Sequence, residues 1–166
     1  MNKSWPIFYK RKIDSTVEDL WKLIAKPGNL NLVHPFCKSN EIIKWDGVGS
    51  SDVLVYLNGL TYFREFTEWE INKGYTLLIG SKRGPKSKVV WEITRSDNKT
   101  YLSIIVYPHL LNNWPKLFSF IPYAILIKPL LKNYLKSVTG GINWYLINKV
   151  SVPKNHFGKH IWFSKL

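Results

Sequence analysis

The pattern of apolar and polar positions changes its period twice along this chain. A loosely alternating run, Trp5–Ile13, predicts a first strand. A stripe at helical spacing then predicts a helix, with Ser15 and Glu18 as a capping box and the N-cap at Asp14 or Ser15. The members of that stripe are Val17, Leu20, Trp21 and Ile24.

Six further strands are predicted in quick succession, because short strand-like runs are separated by turn residues about every 8–12 positions. Asn58-Gly59 is a strong two-residue hairpin signal among these turns. Such a series is typical of an antiparallel meander. The expected strands are Glu41–Trp45, Val53–Leu57, Leu60–Ile71, Tyr75–Ile79, Lys88–Thr94 and Thr100–Tyr107.

From about Ile125 the apolar positions return to spacings of three and four, which predicts one long C-terminal helix. Pro129 falls in its first turn, where proline is tolerated. Gly140-Gly141 indicates either a kink or the close approach of a ligand or strand to the backbone. The predicted apolar stripe comprises Ile127, Leu131, Tyr134, Val138, Ile142 and Tyr145.

Side-chain parity predicts which face of the sheet is buried. In the third of these runs, the parity that contains Phe63, Glu65 and Trp69 is the more apolar, so we expect it to face inward. Glu65 would then be an acid among aromatic rings. Alternatively, it pairs with a lysine or arginine, or the parity of this strand is reversed. The same test places Val89, Trp91, Ile93, Leu102, Ile104 and Val106 on the concave face.

A curved antiparallel sheet around one helix leaves an apolar space between them, and small molecules bind in such spaces. The long helix is the natural cover for this sheet. We therefore expect a ligand site between the two layers. Its predicted lining is Phe63, Glu65, Trp69, Trp91, Ile93, Leu102, Ile104 and Val106 from the sheet, with Tyr134, Val138, Ile142 and Tyr145 from the helix.

The composition narrows the class of protein. A chain of 166 residues is most simply one domain, 1–166, with residues 151–166 as a C-terminal tail. The single Cys37 excludes an intramolecular disulfide and fits a reducing compartment. Residues 1–13 lack the apolar stretch of a secretory signal, so we expect a cytoplasmic protein.

The charge balance predicts attraction to anionic partners. The chain carries 24 Lys and Arg against 11 Asp and Glu, a net charge of +13. These bases are spread along the sequence, a pattern that equally fits a role in solubility. The aromatic residues fall mostly at inward parity, whereas a single-strand nucleic-acid site needs them exposed, so we expect no nucleic-acid partner.

Candidate chemistry is sparse in this sequence. Glu65 and Tyr107 are the weak acid–base candidates, because a carboxyl among aromatic rings would have a raised pKa. His156 and His160 have helical metal-ligand spacing but lack a third ligand nearby, so no metal is expected. No phosphate loop or nucleophile elbow is present in the sequence, and no cofactor is expected.

Three segments carry a resemblance to a known family: Asp14–Trp21 after the first strand, Trp45–Gly49 and Gly59–Phe66. With the order β-α-α-β6-α, they resemble the helix-grip fold of the SRPBCC superfamily, which groups START lipid-transfer domains and birch-pollen-allergen-like proteins. The opening segment is similar to the polyketide cyclase/dehydrase and lipid-transport branch. The resemblance implies an α+β fold whose curved seven-stranded antiparallel sheet wraps around a long C-terminal helix.

Three functions are compatible with this architecture. The first is a carrier or sensor that binds a hydrophobic small molecule, such as a lipid or a polycyclic or polyketide-like compound. The second is a cyclase or dehydratase that uses acid–base residues of the pocket. The third is peripheral binding to anionic membranes through the basic, aromatic region 110–136, of which residues 110–127 could instead form a lid. Whether the chain is an enzyme stays open.

Overall fold

The computed structural model describes residues 5–109 and 123–165, and its elements follow the predicted order β-α-α-β6-α. A π-helical turn, Tyr123–Ile127, leads into the last helix, whose first turn contains Pro129 as predicted. The elements are β1 Ile7–Ile13, α1 Val17–Ile24, α2 Leu30–Val33, β2 Cys37–Lys44, β3 Ser51–Tyr56, β4 Thr61–Glu70, β5 Gly74–Gly80, β6 Lys86–Ser96, β7 Lys99–Tyr107 and α3 Lys128–Asn148.

The seven strands form one antiparallel sheet in the order β1-β7-β6-β5-β4-β3-β2. Its concave face is covered by α3, while α1 and α2 link β1 at one edge of the sheet to β2 at the other. The predicted helix-grip α+β fold is therefore confirmed. None of the helices in the described part of the chain is long and apolar enough to cross a bilayer.

The first helix begins later than predicted. Its N-cap is Thr16, whose Oγ1 accepts a hydrogen bond from the amide of Asp19 at 3.1 Å. The capping residue and its partner thus lie one position beyond Ser15 and Glu18. Since both Ser15 and Thr16 suit an N-cap, sequence preference alone did not decide between them.

A bulge in β4 overturns the predicted parity of this strand. The register with β5 shifts between Phe66 and Glu68, so Thr67 is an extra residue on β4. Before the bulge, Arg64 and Phe66 are buried and face inward, whereas Trp69 packs inward after it. A single extra residue reverses which parity faces the core, because side chains alternate with a period of two.

The glycine pair in α3 marks a close approach to the helix backbone, but the approaching segments are the end of α2 and the tail, and not the ligand or strand that was predicted. A Cβ placed on Gly141 would lie 2.0 Å from the carbonyl oxygen of Val33, at the end of α2. On Gly140, a Cβ would meet the ring of Phe157 at 3.0 Å. Glycine therefore lets the end of α2 and the tail after α3 pack directly against the long helix.

Candidate functional site

A cavity of about 140 Å³ lies between the concave face of the sheet and α3. For comparison, an engineered apolar cavity of about 150 Å³ holds a benzene molecule. Most of the wall is apolar, so a ligand would gain mainly from burial of its hydrocarbon surface. The apolar wall comprises Leu30, Leu54, Leu77, Ile79, Val89, Trp91, Ile104, Val106, Pro108, Leu131, Leu135, Val138, Trp162 and Phe163.

Three hydrogen-bonded side chains form a polar cluster in this apolar wall. His34 Nε2 and the hydroxyl of Tyr134 lie 2.8 Å apart, and that hydroxyl lies 3.1 Å from the hydroxyl of Tyr56. The amide of Phe36 donates to His34 Nδ1 at 3.2 Å. Because Nδ1 accepts this proton, the neutral imidazole carries its own proton on Nε2 and donates it to Tyr134.

The burial of this cluster keeps all three groups uncharged. Desolvation, together with the neighbouring charges of Arg64 and Lys154, lowers the pKa of His34 to about 3. Desolvation also raises the pKa of Tyr56 and of Tyr134 well above the ordinary phenol range. At neutral pH the cluster is therefore one imidazole and two phenols that exchange hydrogen bonds without a net charge.

The only buried ion pair in the described chain also borders the cavity. Arg64 Nε donates to Asp52 Oδ1 at 2.7 Å, and Nη2 donates to Oδ2. The pair crosses from β4 to β3, where the two residues are direct partners in the register. Burial lowers the pKa of Arg64, but the carboxylate of Asp52 outweighs that effect and raises it, so the guanidinium stays charged.

A second polar pair lines the wall near the end of β7. Ser87 Oγ accepts a hydrogen bond from the amide of His109 at 3.0 Å and lies 3.0 Å from Nδ1 of the same residue. The hydroxyl still has a proton that it can donate to Nδ1 when the neutral imidazole of His109 carries its own proton on Nε2. Desolvation lowers the pKa of His109, so this pair is also neutral.

The C-terminal tail completes one side of the cavity. Its backbone returns to the fold through hydrogen bonds from Val152 to Leu32 O at 2.9 Å and from Asn155 to Pro35 O at 2.9 Å. The ring of Phe163 stacks on Tyr56 with 4.3 Å between centroids. The tail therefore holds Trp162 and Phe163 in the wall, a contribution that the sequence did not indicate.

Five of the predicted site residues lie in the cavity wall. They are Trp91, Ile104, Val106, Tyr134 and Val138. Ile93, Leu102 and Ile142 belong to the packed core beyond the wall. Trp69 and Tyr145 are partly buried and pack against that core. Their side chains support the cavity without bordering it.

Phe63, Glu65 and Tyr107 do not face the cavity, which corrects the predicted geometry. Glu65 is exposed and forms an ion pair with Lys86 at 3.0 Å, one of the alternatives raised for it. Phe63 lies at the same parity, with Lys82 Nζ 5.6 Å from its ring centroid. Tyr107 follows the inward Val106 and therefore points to the opposite face of β7.

The polar cluster was missed by the sequence analysis. Tyr56 ends a strand whose buried parity is Asp52, Leu54 and Tyr56, so this alternation could have placed it inward. His34 follows a one-turn helix, where no periodicity reports orientation. The predicted lid or membrane segment 110–127 lies outside the described residues, except for its last five positions.

Solved structures share this fold. DynU16, a protein of the dynemicin biosynthetic locus, matches with a TM-score of 0.66 and 15% identity over 88% of this chain, which spans 48% of DynU16. Ara h 8.0201 matches with a TM-score of 0.65 and 15% identity over 87% of this chain and 98% of its own. TTHA0849 from Thermus thermophilus matches with a TM-score of 0.66 and 15% identity, over 89% of this chain and 100% of its own.

These likenesses confirm the resemblance to the helix-grip fold that the sequence predicted. At 15% identity they concern the fold, which hosts unrelated functions in other proteins. No protein-family model and no curated protein matches the sequence. The function must therefore be argued from the cavity and its side chains.

Proposed function

We propose that this protein binds a small hydrophobic molecule between the sheet and α3, as a carrier or sensor. The observation that carries the proposal is the apolar cavity of about 140 Å³, lined on opposite sides by residues such as Val89 and Leu135. An apolar compound that enters such a space gains about 25 cal/mol for each Å² of surface removed from water.

The arrangement of the polar groups favours binding over catalysis. The acid–base candidates Glu65 and Tyr107 lie outside the cavity. Inside it, His34 and Arg64 are committed to Tyr134 and Asp52, and burial keeps the imidazole neutral. Fixed neutral donors in an apolar wall orient a ligand, which is the usual division of roles in a binding pocket.

Two neighbouring valines on β6 provide a matched test of this proposal. Val89 lines the cavity, whereas Val90 has the opposite parity and faces away from it. Calorimetric titration with toluene should show binding to the wild type and to Val90→Phe. Val89→Phe should bind at least about tenfold more weakly, because the added ring fills the space. Equal affinities in the two variants, or no binding to the wild type, would contradict the proposal.

Native mass spectrometry of freshly purified protein provides a second test. We expect a bound compound that is retained under gentle ionisation by the wild type and is lost in Val89→Phe. A retained compound that is present in equal amount in both variants would indicate binding outside the cavity.

The side chains around the N-terminal end of α3 favour a second function, which is contact with an anionic membrane surface. Ile125 is 74% exposed and Leu126 is 54% exposed. Lys128, Lys132 and Lys136 follow at i, i+4 and i+8 and are all exposed. Exposed apolar side chains beside a row of ammonium groups match the acyl boundary and the headgroups of an anionic bilayer.

Vesicle sedimentation tests this second function. The protein should sediment with vesicles that contain phosphatidylserine, less so with pure phosphatidylcholine, and binding should fall steeply with salt. Ile125→Glu should weaken the binding, whereas Ile71→Glu, at a position 73% exposed and outside α3, should not. Equal binding by both variants would exclude this surface.

A further inference from the structure

The polar cluster contains one more donated proton than it has internal acceptors. His34 Nε2–H, Tyr134 Oη–H and Tyr56 Oη–H are three donors, and they share two contacts. Among residues 5–109 and 123–165, neither phenol oxygen has another hydrogen-bond partner. One phenol proton is therefore left without an acceptor in the described part of the chain, whichever way the two hydroxyl groups are oriented.

That spare proton lies in the wall of the cavity, since both tyrosines line it. A buried donor without an acceptor is costly, and the cost is recovered when a ligand supplies one. We propose, on the basis of the proposed function, that the Tyr56–Tyr134 pair donates a hydrogen bond to a carbonyl oxygen of a small, uncharged aromatic or alicyclic ligand.

The charges around the cluster favour an uncharged ligand. The guanidinium of Arg64 is already matched by the carboxylate of Asp52 through two hydrogen bonds. His34 is neutral, because burial holds its pKa far below 7. A carboxylate ligand would bring a negative charge into an apolar wall whose guanidinium is already matched by Asp52, whereas a ketone or aldehyde oxygen needs only one donor.

The size of the cavity restricts the hydrocarbon part of the ligand. A space of about 140 Å³ suits a single ring with a short substituent, roughly six to ten non-hydrogen atoms. The apolar side chains of Trp91 and Val138 would contact this ring, while a phenol hydroxyl would donate a hydrogen bond to the carbonyl oxygen of the ligand. The expected ligand class is therefore a compact cyclic ketone or aryl carbonyl compound.

Acetophenone and α-methylstyrene form a suitable probe pair, because they have the same shape and differ only in an oxygen in place of a methylene group. The wild type should bind the ketone about fivefold more tightly, which corresponds to one net neutral hydrogen bond. Loss of Tyr134 would also release the Nε2–H of His34, which lines the cavity, so the test removes this donor as well. His34→Leu/Tyr56→Phe/Tyr134→Phe should bind the two probes within about twofold. Tyr62→Phe is the control, since Tyr62 also lines the cavity but lies outside the cluster, and it should keep the preference.

The outcomes separate this inference from the proposed function. Failure of the wild type to bind either probe would overturn both. Equal binding of the two probes by the wild type would overturn the carbonyl assignment and leave hydrophobic binding in place. A preference that persists in the triple variant would also overturn the assignment, because the donor would then lie outside the cluster. The affinity of the triple variant for α-methylstyrene shows whether its cavity is intact.

A measurement on the unmodified protein keeps the test independent of variant stability. The carbonyl carbon of ¹³C-labelled acetophenone moves downfield when its oxygen accepts a hydrogen bond. We expect the bound signal to lie downfield of its position in cyclohexane. A bound signal at the cyclohexane position would overturn the inference.

Discussion

Asp52 and Arg64 lie opposite each other on β3 and β4 and form a buried, bidentate ion pair. The side chain of Asp52 is 0% exposed and that of Arg64 is 3% exposed. The guanidinium also lies over the ring of Phe66, 5.3 Å from its centroid. The pair fixes the register of two strands beside the cavity, and its charges are compensated only by each other.

Asp52→Asn should therefore destabilise the protein strongly. It leaves a buried guanidinium without a carboxylate, a loss of about 3–5 kcal/mol in the free energy of unfolding. Urea unfolding followed by tryptophan fluorescence measures it. Glu65→Gln is the matched control, because it breaks the exposed pair with Lys86 and should cost less than about 1 kcal/mol. Similar losses in both variants would contradict this view.

Gly141→Ala should destabilise the protein by about 2 kcal/mol or more, because the new methyl group would collide with the carbonyl oxygen of Val33. That oxygen belongs to backbone and cannot move aside easily. Thermal unfolding measures the effect. Gly140→Ala is the adjacent control, since its methyl group meets only the ring of the exposed Phe157. We expect Gly140→Ala to lie within about 1 kcal/mol of the wild type.

The free energy of unfolding should fall on acidification partly because of His34. Burial lowers its pKa in the folded protein to about 3, whereas the unfolded chain takes up the proton near pH 6.5. Below pH 6.5 the unfolded state therefore binds more protons, and stability decreases until about pH 3. Between pH 7 and pH 5 the wild type should lose about 2 kcal/mol more than His34→Gln. Parallel pH profiles from urea unfolding would refute the assignment.

Phe163→Ala should widen the range of accepted ligands. Removal of the ring that stacks on Tyr56 enlarges the cavity on the side of the tail. Calorimetry should show the ratio of naphthalene to toluene affinity rising about fourfold or more, since more ring surface is then buried. Ile161→Ala, at a position 67% exposed on the same tail, should leave the ratio unchanged. An unchanged ratio in Phe163→Ala would exclude the tail as a wall of the site.

The fold was predictable because most elements obey a simple period. Val89, Trp91 and Ile93 alternate with polar or partly exposed neighbours along β6, and all three are buried. In α3, spacings of three and four placed Leu131, Val138 and Ile142 correctly on the buried face. Local patterns of this kind report on orientation directly, since each follows from backbone geometry alone.

The candidate site was less predictable because its residues meet through long-range packing. His34 and Tyr134 are 100 positions apart, and no local pattern connects them. Phe163 reaches Tyr56 only because the tail turns back, held by backbone hydrogen bonds to Leu32 and Pro35. In β4, the bulge reverses which alternate residues face inward. It has no signature in the amino-acid composition, so Glu65 was assigned to the wrong face.

Thr67, the extra residue of β4, has a consequence for insertions and deletions in this strand. Because Arg64 lies before it and Trp69 after it, both side chains reach the interior only while the added position is present. A chain shortened there by one residue would have to turn either the guanidinium or the indole toward solvent. Which side chains of β4 face the interior therefore depends on the number of residues at the bulge, and much less on which amino acid occupies position 67.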